Sequence, residues 1–307
     1  MRRPRALRPG SRLAVVAPAS PFTREEFEAG VAELRRLGFE AVYDESVFAR
    51  DGYVAGTPQA RAAAIHRAWD DPGIDGLIAA RGGYGSVQVL PYLDPARART
   101  ATTPFIGYSD VTSLLTFVTQ TGGQVAFHGP MLAGRLSVGE SAYDRSTLLA
   151  ALTQAVPMGA LPAEGLEVLR PGEASGPLLG GTVSQLLGSL GTPFAFDPPR
   201  GFVLWFEEVG ERPYRLDRML EQLKQAGILR RASAVVVGQL PGCDEPGGAP
   251  TARETMARGL DGFPGPVVFG LPSGHTRGPA LTLPLGVRCR VVTHPFASLI
   301  IEESAVD

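Results

Sequence analysis

Short, almost wholly apolar runs alternate with helix-spaced segments through the first half of the chain, and no other feature restricts the fold as strongly. Leu13 to Val16 is such a run. It is followed by "TREEFEAGVAELRRLGF", where Thr23 is placed to cap a helix and Glu26 completes a capping box. Phe27, Val31 and Leu34 then recur at helical spacing until Gly38 stops the helix. "EAVYDE" reads as a second strand. "TPQARAAAIHRAWDD" has Thr57 as cap and Pro58 at the first helical position, and "IDGLIAA" has the pattern of a buried strand. "PFIG" with its helix, "QVAFHGP", and a polar helix within "SAYDRSTLLAALTQA" continue the order. Strands alternating with helices predict a parallel sheet covered on both faces.

The pattern changes at Val156. "VPMGALPAEGLEVLRPGEAS" scatters Pro and Gly without a sustained period and reads as a linker. Beyond it, "FVLWFEE", "SAVVVG", "GPVVFG", "RCRVVT" and "SLIIEE" outnumber the helices, of which "PYRLDRMLEQLKQAGIL" is the strongest. The expected division is an N-terminal α/β domain over residues 1–155, a linker over 156–175 and a strand-rich α/β domain over 176–307. Two cores suit the length, since a domain runs to roughly 100–200 residues.

Charge and cysteine content exclude several function classes. A formal net charge of -2 offers no attraction to nucleic acid or anionic lipid, so neither is an expected partner. The basic start is followed by an apolar run only from Leu13 to Ala17, too short for a signal segment, and nothing later approaches a membrane span of about 20 residues. A cytoplasmic location is therefore expected. Cys243 and Cys289 are the only cysteines, with neither a disulfide framework nor metal-ligand spacing, and no metal or cofactor is expected.

The chemistry starts at "PFIGYSDVTSLLTFVTQ", where Ser109 stands between a strand and a helix. In a parallel sheet, ligands gather at the carboxyl ends of strands, and a serine on a tight strand-to-helix turn points its hydroxyl there. Serine is also a favoured helix cap, and Val111 replaces the second glycine of G-x-S-x-G, so cap and nucleophile both stand at this point. A nucleophile needs a base. Of four histidines, His66 lies in a helix and His294 beside a terminal strand; His128 in "FHGP" is a candidate cleft residue, and His275 in the loop "GLPSGHTRGP" ranks first as base. Glu207 and Glu208 end the apolar run "FVLWFEE" and face opposite sides, so only one can orient that imidazole. "RGGYGS", Arg81 to Ser86, has glycines that can turn amides toward an oxyanion or a phosphate, but it is neither G-x-G-x-x-G nor Walker A.

Taken in order, "RGGYGS", "GYSDVTSLL", "FHGPML", "FEEVGERPYRLDRML" and "GLPSGHT" resemble the serine LD-carboxypeptidases, the family that also contains the microcin-immunity peptidases. The resemblance spans nearly the whole chain. It implies a flavodoxin-like N-terminal domain, a C-terminal domain rich in β-structure, and an active site at their junction. It places the nucleophile on Ser109, the acid on Glu207 and the histidine on His275, with the amides of Gly83 and Asp110 as oxyanion hole. Tyr84, Thr182, Glu208 and His128 are the candidate substrate contacts; Thr182 stands where many relatives are expected to carry asparagine. The implied reaction releases a C-terminal D-amino acid from an L-configured centre, as in murein tetrapeptide, by a homodimer. Cleavage of aminoacyl-nucleotide antibiotics is the alternative within the family, and a non-catalytic sugar- or nucleotide-binding protein the one outside it.

Overall fold

The computed structural model describes residues 1–307 and contains two sheets, one of six strands and one of eight. Five strands of the first sheet come from the N-terminal half: β1 (Arg12–Val16), β2 (Glu40–Val42), β3 (Gly76–Ala79), β4 (Phe105–Gly107) and β5 (Ala126–His128). They pair in parallel in the order β2-β1-β3-β4-β5, the flavodoxin-like order whose ligand crevice lies at strand carboxyl ends. The helices between them start where local chemistry dictates. Thr23 and Glu26 form the capping box of the helix Arg24–Arg36, and Thr57 accepts from the Ala60 amide ahead of the helix Pro58–Asp70. Each such cap contributes about 1 kcal/mol.

The second sheet holds β6 (Gly159–Ala160), β7 (Glu167–Arg170), β8 (Glu173–Thr182), β9 (Phe202–Glu207), β10 (Ala232–Gly238), β11 (Val267–Leu271), β13 (Arg288–Val292) and β14 (Ser298–Ile301). Its centre, β8-β9-β10-β11, is parallel, while β13, β14, β6 and β7 extend it antiparallel on either side. β9 is buried at every position, as a central strand must be, and each buried Val, Leu or Phe there contributes about 1.5–3 kcal/mol. A carboxylate ends this apolar run.

Two features differ from the sequence reading. The segment 156–175, expected as a linker, carries β6 and β7 and the first residues of β8, and its two short strands seal opposite edges of the second sheet. β12 (Leu283–Leu285) leaves the C-terminal region and pairs antiparallel with β5 in the first sheet. The larger apolar core accordingly runs from Leu7 to Val306 across both sheets, and the smaller one stays between Leu179 and Phe269. No helix is long and apolar enough to cross a membrane.

Candidate active site

At the junction the end of β4 meets the ends of β8 and β9: the Thr182 amide donates to Thr112 Oγ1, and the His275 ring that pairs with Glu207 lies 5.2 Å from the Tyr108 ring. β4 runs out through Tyr108 into Ser109, which adopts φ of +62°, one of only two non-glycine residues with positive φ. That conformation costs a residue with a Cβ about 1–2 kcal/mol. No amide donates to the Ser109 hydroxyl: the turn Ser109–Val111 and the helix Thr112–Thr116 have no side-chain cap. The cap reading of Ser109 is thereby removed.

The carboxylate that the resemblance assigns as the acid ends β9. Glu207 is fully buried, and its Oε2 lies 2.8 Å from the backbone nitrogen of His275, which donates to it, and 2.8 Å from the ring Nδ1. Its Oε1 accepts from the hydroxyl of Thr182, the residue paired with Glu207 across β8 and β9. Burial alone would raise this carboxyl's pKa, but the His275 hydrogen bond and charge, with His128 and Thr182 behind them, take it below the usual range. An ionised Glu207 fixes the proton on Nδ1 and leaves Nε2 of His275 free to accept one. Gly274 is required beside it, since a Cβ there would lie 2.7 Å from the Glu207 carboxyl carbon and its φ is +66°.

Opposite stands the glycine loop. A methyl group on Gly82 would lie 3.2 Å from Ser109 Cβ and 3.4 Å from its Oγ, so the loop passes directly over the serine. Gly83, at φ +91°, could not carry a side chain, because its Cβ would fall 2.5 Å from Ser20 Oγ. No backbone carbonyl accepts from the amides of Gly83 or Asp110. The Asp110 carboxylate ties the two turns together by accepting from the Ser86 amide at 2.8 Å. Burial raises its pKa against these hydrogen bonds. Ser109 Oγ and the His275 ring are not hydrogen-bonded to each other, and the ring's partner is Glu207.

The remaining expected residues are placed differently. Glu208 faces away from Glu207, as strand alternation demands, and is buried; its carboxylate accepts from the amides of Ser184 at 3.0 Å and Val209 at 3.1 Å. Burial raises its pKa, with Glu207 adding to the effect. Thr182 spends its hydroxyl on Glu207 and its amide on Thr112 Oγ1 at 3.1 Å, so it orients the acid and joins the sheets. Tyr84 is half exposed, its ring 5.6 Å from that of Tyr53. His66 accepts from the Asp94 amide and is structural.

His128, expected to line the cleft, is completely buried, because β12 covers the outer side of the strand that carries it. Its ring lies edge-on to Trp205 and Tyr108, with Nδ1 3.4 Å from Ser273 Oγ. Burial lowers its pKa from 6.5 to about 4, assisted by the His275 charge and opposed by that of Glu207. Between those values the unfolded chain holds a proton that the folded one refuses, so stability falls as pH falls through this window. The expected loss is on the order of 3 kcal/mol at pH 4 relative to neutral pH. Denaturant unfolding of wild type and His128→Gln at neutral pH and near pH 4.5 checks this. The variant should lose less on acidification; Asp110 and Glu208, whose raised pKa values act in the opposite sense, are common to both proteins.

Sequence reasoning missed Arg135. Its Nη1 donates to the carbonyls of Ala142 at 2.5 Å and Gly278 at 3.2 Å, and its Nη2 to that of Thr276 at 2.9 Å. The guanidinium thus holds the His275 loop against the first sheet, 5.8 Å from the Tyr108 ring that in turn flanks His275 at 5.2 Å. Nothing in its local pattern sets it apart, since its partners come from distant loops. A surface cavity of 580 Å³, lined by Lys224, Leu229, Arg258 and Phe263 among others, shares no residue with this cluster.

Models of known families match both halves of the chain: the LD-carboxypeptidase N-terminal domain over residues 13–129 and the LD-carboxypeptidase C-terminal domain over residues 175–291. The murein tetrapeptide carboxypeptidase of Pseudomonas aeruginosa is 33% identical, covering 86% of this chain and 88% of its own. The solved muramoyltetrapeptide carboxypeptidase of Oxalobacter formigenes superposes with a TM-score of 0.84 at 27% identity, over 95% of this chain and 99% of that one. Microcin C7 self-immunity protein MccF shares the fold, with a TM-score of 0.91 at 24% identity over 100% of both chains. A strained serine after a parallel strand, a buried glutamate on the histidine of a second sheet, and these matches together establish that the chain belongs to the LD-carboxypeptidase family and is a serine carboxypeptidase.

Proposed function

We propose that the enzyme removes the terminal D-alanine of murein tetrapeptide in peptidoglycan recycling, using Ser109 as nucleophile, His275 as base and Glu207 as the acid that orients it. The observation that carries this reading is the Glu207–His275 pairing at 2.8 Å, which leaves Nε2 as the free basic nitrogen at the junction with Ser109. On this reading residues 1–155 supply the nucleophile and residues 176–307 the acid and the base. On this reading the enzyme acts in the cytoplasm, and the family resemblance supports a homodimer.

Each step follows from the placement of these groups. Ser109 Oγ attacks the carbonyl carbon of the L-centre while His275 Nε2 takes its proton. The amides of Gly83 and Asp110, unengaged by the fold, donate to the oxygen that becomes negative; one such donor is worth about 10²–10³ in kcat. His275 then protonates the departing amine, D-alanine leaves, and water activated by the same ring hydrolyses the acyl-enzyme. Glu207 stabilises the imidazolium in both halves without itself taking the proton.

Incubation with murein tetrapeptide and pentapeptide, with the products read by mass spectrometry, tests the substrate. The expected products are tripeptide and D-alanine from tetrapeptide. Intact tetrapeptide with cleaved pentapeptide would point to a D-configured scissile centre and refute the LD assignment.

A further inference from the structure

A carboxypeptidase must distinguish a chain end from a continuing chain, and a terminal carboxylate is read by a cation with free, parallel N–H donors. This inference rests on the peptidase reading above, and three guanidiniums flank the glycine loop and the turn that carries Ser109. Arg61 lies beneath the glycine loop, buried, with its donors committed to the carbonyls of Gly56, Pro18 and Gly85 and to Gln88. Arg135 is committed to three carbonyls, and its Nε is sealed from solvent. Neither can turn to a ligand without dismantling a loop.

Arg81 is different. It opens the glycine loop, next to the residue that passes over Ser109, and its side chain is 42% exposed. Only Nη1 is engaged, by Glu26 at 3.1 and 3.4 Å, and Nε and Nη2 make no hydrogen bond to the protein. Glu26 is itself fixed, because its carboxylate accepts from the Thr23 amide and hydroxyl in the capping box at the start of the helix Arg24–Arg36. Partial burial raises the pKa of Tyr108, the residue before Ser109, and the charges of Arg135 and Arg81 oppose that rise. We infer that Arg81 reads the terminal carboxylate of the substrate. Glu26 holds Nη1 and so orients the guanidinium plane, and Nε and Nη2 remain as the side-on pair that matches two carboxylate oxygens. The recognised carboxylate belongs to the departing D-amino acid, so the contact selects the last residue of a chain. Because the site is partly exposed, the small product can leave it.

The test compares kcat/KM of wild type, Arg81→Gln and Arg81→Lys on an LD-tetrapeptide with a free terminal carboxylate and on its carboxamide, with folding monitored by circular dichroism. Wild type should prefer the free acid at least tenfold. Arg81→Gln should lose at least tenfold on the free acid and little on the carboxamide, which abolishes the preference; Arg81→Lys should keep the charge and part of the preference. Loss of activity on both peptides alike, or an undiminished preference in Arg81→Gln, would overturn the assignment while leaving the carboxypeptidase reading intact. If wild type cleaves neither peptide, that reading falls and the inference falls with it.

Discussion

Replacing Ser109 with alanine is expected to lower kcat by about 10⁴-fold or more while the protein stays folded, because members of a catalytic triad fail as a unit. The side chain makes no hydrogen bond that holds the turn together: it caps no helix, and its left-handed backbone is fixed by β4 and the helix behind it. A residue whose only role was capping would show the reverse, a loss of about 1 kcal/mol with turnover retained. Steady-state kinetics beside a thermal melt separate the two outcomes, and an active but destabilised variant would return Ser109 to a structural role.

The second large effect separates two adjacent carboxylates. Glu207→Gln should reduce kcat by roughly 10³–10⁴-fold, the size seen when a triad carboxylate becomes an amide. An amide cannot stabilise the imidazolium, and it presents one acceptor where Glu207 serves the His275 amide, the His275 ring and the Thr182 hydroxyl. Glu208→Gln should change kcat less than about tenfold. Its carboxylate points away and accepts from the Ser184 and Val209 amides, so its loss weakens the start of the helix Val183–Gly188 by about 1 kcal/mol, as a lost cap does. Equal losses in kcat would show that Glu208 also acts in the reaction.

What the sequence made legible was local. The Thr23–Glu26 box, the Thr57 cap and the apolar runs of β1, β3, β9 and β10 carry their own signals, because caps and buried strands are encoded by neighbours in the chain. β8 was not legible: Gly176, Pro177, Gly180 and Gly181 interrupt its apolar pattern. The cause lies in its neighbour, since a Cβ on Gly180 would stand 1.7 Å from the Trp205 carbonyl oxygen. β12 was hidden for a related reason, as its partner β5 lies more than a hundred residues earlier. In the site, Ser109, Glu207 and His275 follow from motifs, whereas the part played by Thr182 follows from its register with Glu207, which only the sheet reveals. His128 was misplaced because burial beneath a non-local strand has no local signature.

The choice between the two substrates known in the family turns on aromatic planes. An adenylate calls for a ring on which its base can stack, worth about 1–3 kcal/mol. Residues 156–175 contain no aromatic side chain. Trp205 is fully buried against His128, and Trp69 lies in the helix Pro58–Asp70 beside His66. Only Tyr84 offers an exposed ring on the glycine loop, and it leans on Tyr53. The most direct test is therefore kcat/KM measured side by side on a murein LD-tetrapeptide and an aminoacyl-sulfamoyl-adenosine, with S109A as the blank. The expected result is D-alanine released by wild type and not by the blank, at a kcat/KM tenfold or more above that on the adenosine compound, the factor that about 1.4 kcal/mol of missing stacking gives. A reversed preference, or D-alanine released equally by S109A, would contradict it.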